Sequence, residues 1–217
     1  MTSALPQTPA PRHHVILLIG THVTGKETLA FSLSRSHGCP WLKGELAHAA
    51  ANFGARSQAT KGPYDYGEVF QRIWFSKMQR LGLVIPDQDL DHRAGSAMTP
   101  TPTANPTSTC TAIITCYAMR KPARDAIRRV LLSHSIHPMF VILHITKETL
   151  SGRTLGAEEP ELAERIMGEK VADIEEPAPE EVEGGGDVIL VDSAGSSVDG
   201  LFEEIMLRVR GYMGVCG

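Results

Sequence analysis

The sequence predicts a three-layer α/β fold: a parallel sheet of about five strands with helices on both faces. Three observations carry that prediction. Short apolar runs rich in β-branched residues recur along the chain without polar alternation, the mark of strands buried on both faces. Amphipathic segments of helical length separate them. A glycine-bounded loop, residues 20–28, stands between the first apolar run and the first helical segment.

The elements follow in chain order. Residues 1–12, rich in Pro and Thr, read as a disordered tail, which leaves 13–217 as one domain. Residues 14–19 (HVILLI) form the first strand and 26–36 the first helix. Residues 39–42 (CPWL) are a shorter strand candidate. A helix is predicted over 68–81, where Trp74, Phe75 and Met78 share one face and pack the core. Residues 94–110 are a low-complexity Pro/Thr/Ser insertion without the apolar side chains to pack. Residues 112–116 (AIITC) are a strand. Pro122 opens a helix over 122–133, because its missing N–H costs nothing in a first turn. A strand at 140–145 (FVILHI), a helix over 147–155, a strand at 187–191 (DVILV) and a helix over 198–212 complete the order. Residues 156–186 form an acidic lid or linker: from Ala157 to Glu183, eleven Asp/Glu stand against two Lys/Arg.

Composition excludes several classes. The 217 residues, 42% hydrophobic and 21% charged, are enough for a sizeable core. A formal charge of −4 argues against a general nucleic-acid binder. No apolar run approaches the roughly 18 residues of a membrane span, and the N-terminal segment lacks the apolar stretch of a secretory signal. Cys39, Cys110, Cys116 and Cys216 are scattered, with no Cys-x-x-Cys pair. They read as buried or free thiols rather than a zinc site or a disulfide framework, and point to the cytoplasm. None of the nine histidines has metal-ligand spacing, and His144, on an apolar strand, reads as a core residue.

The loop carries the chemistry. Gly20-Thr21-His22-Val23-Thr24-Gly25-Lys26 has the Gly-x4-Gly-Lys spacing of a phosphate-binding loop (Walker A), followed by Glu27 and Thr28. Glycines let backbone N–H groups curl around phosphate oxygens, the helix N-terminus adds positive partial charge, and Lys26 reaches the β- and γ-phosphates. A hydroxyl usually follows the lysine and holds Mg²⁺. Here that residue is Glu27, whose carboxylate can bind Mg²⁺, while Thr28 is rotated about 100 degrees further round the helix and cannot simply substitute; these two are the metal-ligand candidates.

Further elements resemble the gluconokinase family of small P-loop kinases, which share their fold with shikimate and adenylate kinases. Gly44-Glu45-Leu46-Ala47-His48, with Asn52 beyond, is similar to the family's Gly-Asp-x-x-His-Pro-x-x-Asn element. Cys116-Tyr117-Ala118-Met119-Arg120, with Arg124-Asp125 beyond, is similar to its Cys-Ser-Ala-Leu-Lys-x-x-Tyr-Arg-Asp element. The resemblance implies ATP and Mg²⁺ as cofactors and a small carbohydrate acid as substrate. It implies Lys26, Glu45 and Arg120 as catalytic residues, and Glu45, His48, Arg120 and Arg124 around the substrate. Arg153 is the one arginine that matches the lid. No nucleic acid or membrane is implied, and a homodimer is allowed.

Some positions depart from the family. Ala55-Arg56 replaces its Lys-Met pair, Glu68-Val69 its Asp-Arg pair, and Tyr117 a small serine. Val69 and Tyr117, together with Glu27 and the acidic lid, support an alternative: a nucleotide-binding pseudo-kinase with little or no transfer activity.

Overall fold

The computed structural model describes residues 12–21, 24–85, 108–117, 120–146, 148–149, 176–183 and 186–214. Five strands form one parallel sheet: β1 (Arg12–Ile19), β2 (Trp41–Lys43), β3 (Ser108–Cys116), β4 (Ile136–His144) and β5 (Val188–Asp192), in the spatial order β2-β3-β1-β4-β5. The helices among the described residues are α1 (Lys26–His37), α2 (Glu45–Ala59), α3 (Tyr66–Arg80), α4 (Lys121–Leu132), the short α5 (Pro179–Val182) and α6 (Val198–Tyr212).

The sheet divides the core in two. On one face Leu17 and Ile19 of β1 and Ile114 of β3 meet Phe70, Trp74 and Met78 of α3 and Ile127 of α4. On the other, Ile16 and Leu18 meet Leu29 and Leu33 of α1 and Leu201 and Ile205 of α6. Alternate residues of the same strand thus serve opposite layers, which is why their apolar run is unbroken. The helix after β1 and the helix after β3 lie on opposite faces of neighbouring strands. That arrangement opens a crevice at the strands' C-terminal ends.

Several expected boundaries shift, each for a physical reason. Arg12 belongs to β1 rather than to the tail. The insertion expected through residue 110 gives way at Ser108, where β3 begins in register with Arg12–His14. The strand expected from residue 140 starts at Ile136. Pro138 fits there because that stretch has β1 on one side and no β5 partner on the other. Asp65 accepts the Gly67 N–H at 2.6 Å and starts α3 two residues earlier than the apolar period suggests. The linker expected through residue 186 contains α5, whose Glu181 is buried. Only Glu148 and Thr149 of the helix expected at 147–155 are described, and both are helical. The element not anticipated is α2. Its inward positions carry Ala47, His48, Ala51 and Ala55, too small and too polar to print a clear apolar period.

At the other end of the sheet, a register shift separates His14 from Val15. His14 is buried, and neither ring nitrogen has a hydrogen-bond partner among the described residues. Its ring lies 5.4 Å from that of His137 and 6.1 Å from that of Tyr212. Burial first, then the neighbouring His137, Arg12 and His13, holds its pKa down at about 4, against 6.5 for a free imidazole. The sign is direct. The unfolded chain takes up this proton first, so the neutral ring's full contribution above pH 6.5 is lost as pH falls toward 4. His14→Leu is expected to flatten the acid-side loss of stability in that interval, measured by urea unfolding at stepped pH. An unchanged pH profile would contradict this assignment.

Candidate active site

The C-terminal ends of β1, β2 and β3 gather the chemistry. After Ile19 the chain turns at Gly20, whose N–H donates to Cys116 O at 3.4 Å, tying the loop to the end of β3. Gly25 caps α1 with φ of 75°, a left-handed conformation that costs glycine little. Thr24 donates its hydroxyl to Thr21 O at 2.8 Å and closes the loop from within. The hydroxyl of Thr21 is buried and has no hydrogen-bond partner among the described residues. Lys26, the first residue of α1, is buried too. His22 and Val23 of the loop, and Arg153 of the expected lid, lie outside the described residues.

Glu45 stands directly across from Lys26. The turn from β2 into α2 passes so close to β3 that the Gly44 N–H donates to Thr115 O at 2.8 Å. A Cβ at residue 44 would sit 2.6 Å from that oxygen, so only glycine fits. The approach places Glu45 Oε1 3.5 Å from Lys26 Nζ, with the two side chains only 12% and 5% exposed. The Thr115 hydroxyl donates to Glu45 Oε2 at 3.1 Å, and the Trp41 indole N–H donates to the Thr115 oxygen at 3.3 Å. A chain of contacts therefore runs from Trp41 through Thr115 and Glu45 to Lys26. The Tyr117 ring lies over Lys26, with Nζ 5.1 Å from its centroid.

One and two helical turns beyond Glu45, His48 and Asn52 open onto a cavity of about 290 Å³, lined also by Arg56, Tyr66, Arg120, Pro122 and Ala123. Tyr66 donates its hydroxyl to Asn52 Oδ1 at 2.5 Å, and His48 packs edge-on against Phe70. Two cationic side chains line the cavity beside the polar groups of His48, Asn52 and Tyr66, a combination that can hold an anion. Val69 is buried in the core and does not reach this cavity. The cation supplied from the α2 side is Arg56.

Three expected site residues, Arg124, Glu27 and Thr28, have surroundings of their own. Arg124, expected at the substrate, is fully buried and gives two hydrogen bonds to Glu181, Nε to Oε1 at 3.0 Å and Nη2 to Oε2 at 2.6 Å. Its guanidinium is held by α5, away from the cavity. Arg128 joins the same network at 2.6 Å from Glu181 and 2.7 Å from Asp187. Burial works against the charge of Glu181, yet the hydrogen bonds from Arg124 and Arg128 prevail and hold its pKa near 2. Glu27, expected at the metal, is 59% exposed and pairs with Lys43 at 3.6 Å, while Thr28 is also exposed.

Sequence reasoning passed over Thr115, Trp41, Tyr66 and Arg56 as site residues. The available signal was Thr115, the polar residue in an otherwise apolar run at 112–116.

No family model matches the chain, and no curated protein matches it in sequence. Solved structures do. An unliganded sugar kinase from Janibacter sp. HTCC2649 superposes with a TM-score of 0.56 at 18% identity, over 95% of this chain and 99% of that one. A gluconokinase from Sinorhizobium meliloti 1021 superposes with a TM-score of 0.51 at 18% identity, over 93% of this chain and 91% of that one. At that identity the likeness is one of fold: five parallel strands and their helices in the P-loop kinase arrangement.

Proposed function

We propose that the protein transfers the terminal phosphoryl group of ATP to a hydroxyl of a small carbohydrate acid. The observation that carries this reading is the position of Glu45. It touches the P-loop lysine on one side and lies one helical turn from the His48 wall of an arginine-lined cavity on the other. Residues 20–28 hold the triphosphate, with Lys26 moving from Glu45 to the phosphate oxygens as charge develops there. Released from Lys26, Glu45 accepts the proton of the attacking hydroxyl, held in place by Thr115. Arg56 and Arg120 orient the acid through its carboxylate.

The residues after Lys26 do not fit a magnesium ion held by the loop: Glu27 is turned to Lys43 and Thr28 is on the surface. Among the described residues, no three His, Cys, Asp or Glu side chains converge on a metal position. A second reading follows from the same contacts, in which ATP binds without transfer.

Calorimetry with ATP, with and without Mg²⁺, beside a coupled ADP-release assay on gluconate, separates the two readings. The kinase reading expects ATP binding in both conditions and ADP release that depends on the acid. Binding without any acid-dependent ADP release would leave the pseudo-kinase. Glu27→Ser is expected to raise Mg²⁺-dependent turnover, because it restores a hydroxyl where the metal is usually held.

A further inference from the structure

Cys39 and Cys110 are 71 positions apart in the chain, yet their sulfurs lie 3.2 Å apart. The backbone fixes both. Cys39 ends the turn after α1, with its N–H on Ser34 O at 3.2 Å and its carbonyl accepting the Ser34 hydroxyl at 2.6 Å. The next residue, Pro40, accepts the Ile113 N–H at 2.9 Å and so anchors that turn to β3. Cys110, the third residue of β3, pairs in register with His14. Cys39 is buried and Cys110 is partly exposed, which gives a small solute a way in. A disulfide needs the sulfurs to close by only about 1 Å from here.

We infer that Cys39 and Cys110 are a reversible redox pair, converted to a disulfide by a peroxide, whose bridge locks the edge strand β2 to β3. One sulfur, as its thiolate, attacks a peroxide oxygen. An S–O bond forms, the O–O bond breaks, and the leaving oxygen departs as water after taking a proton. The second sulfur then attacks the first, the S–S bond forms, and the S–O bond breaks to release a second water. Two thiols and one hydrogen peroxide give one disulfide and two waters, the sulfurs losing the two electrons that the peroxide gains. The hydrogen bond between the thiols favours this start, since it lowers the pKa of Cys39 and raises that of Cys110. Cys116 provides the contrast: complete burial pushes its thiol up and closes it to solutes.

The bridge closes a loop that contains β2, α2 and α3, and with them Glu45, His48, Asn52, Arg56 and Tyr66. It forms near the start of β3, whereas Thr115 and Tyr117 lie at its other end, so it steadies the acceptor side without touching the cavity. In a reducing compartment such a pair responds to oxidant rather than staying closed.

The test uses the full-length protein, first reduced, then treated with one equivalent of hydrogen peroxide. Unreacted thiols are alkylated in denaturant and the non-reduced digest is mapped by mass spectrometry. Expected are two fewer reactive thiols, a Cys39–Cys110 peptide, and a thermal midpoint raised by ~5–10 °C that dithiothreitol returns to its starting value. Cys39→Ala and Cys110→Ala should each remove that rise. Four thiols still reactive, a bond to another cysteine, sulfinic acid at one site, or a bridge with no rise in midpoint would each overturn the inference. Because the peptide map is made on the unmutated protein, it decides even if an alanine variant fails to fold.

Discussion

Lys26→Ala is expected to remove measurable ATP binding and lower any turnover by ~10²–10³-fold, the usual cost of deleting a donor aimed at transition-state charge. The contact with Glu45 makes a sharper pair of outcomes available. In the free protein Lys26 is held at 3.5 Å from that carboxylate, so an incoming phosphate has to compete for it. Glu45→Gln removes the competitor and one negative charge, and should therefore tighten ATP binding while turnover falls. If Glu45 were a spacer only, both quantities would move little. If it held the loop together, both would fall. Calorimetry and ADP release on the same preparations distinguish the three.

Glu181→Ala is expected to cost ~3–5 kcal/mol of stability, because it removes the carboxylate that takes two hydrogen bonds from the fully buried Arg124 guanidinium. Arg128 would retain Asp187 and Asp125, so the damage centres on Arg124. Paired replacement, Arg124→Met with Glu181→Leu, should recover most of the loss, since no buried charge remains to be compensated. Urea unfolding of the three variants measures this. A single-variant loss under ~1 kcal/mol would show that water reaches Arg124 and that the network is ordinary surface pairing.

These contacts also show where the sequence runs out. The strands were legible because their environment imposes one chemical demand, apolar on both faces, which residues 15–19 and 188–191 meet without interruption. The phosphate loop was legible because its chemistry is local, set by glycines and a lysine at fixed spacing. Arg124 was ambiguous for the opposite reason. A guanidinium at the start of a helix looks the same whether its anion is a ligand or a side chain 57 positions away. One partner that the fold gives it, Glu181, sits in an acidic stretch whose neighbours suggest solvation. Arg56 reads in the sequence as a departure from a known pattern, and only the fold shows it lining the cavity with Arg120. The sulfur pair could not be read at all, because nothing near Cys39 announces Cys110.

Trp41 gives the protein a built-in optical reporter. Its indole N–H is bound to Thr115, whose own proton goes to Glu45, so a change in the state of Glu45 alters the polarity felt by a partly exposed fluorophore. The second indole, Trp74, is fully buried in the other layer and supplies a steady background. Tryptophan emission, read in a stopped-flow mixer, thus follows the approach of a ligand to Glu45 and Lys26 with no label attached, because the indole is an amphipathic ring with one polar edge.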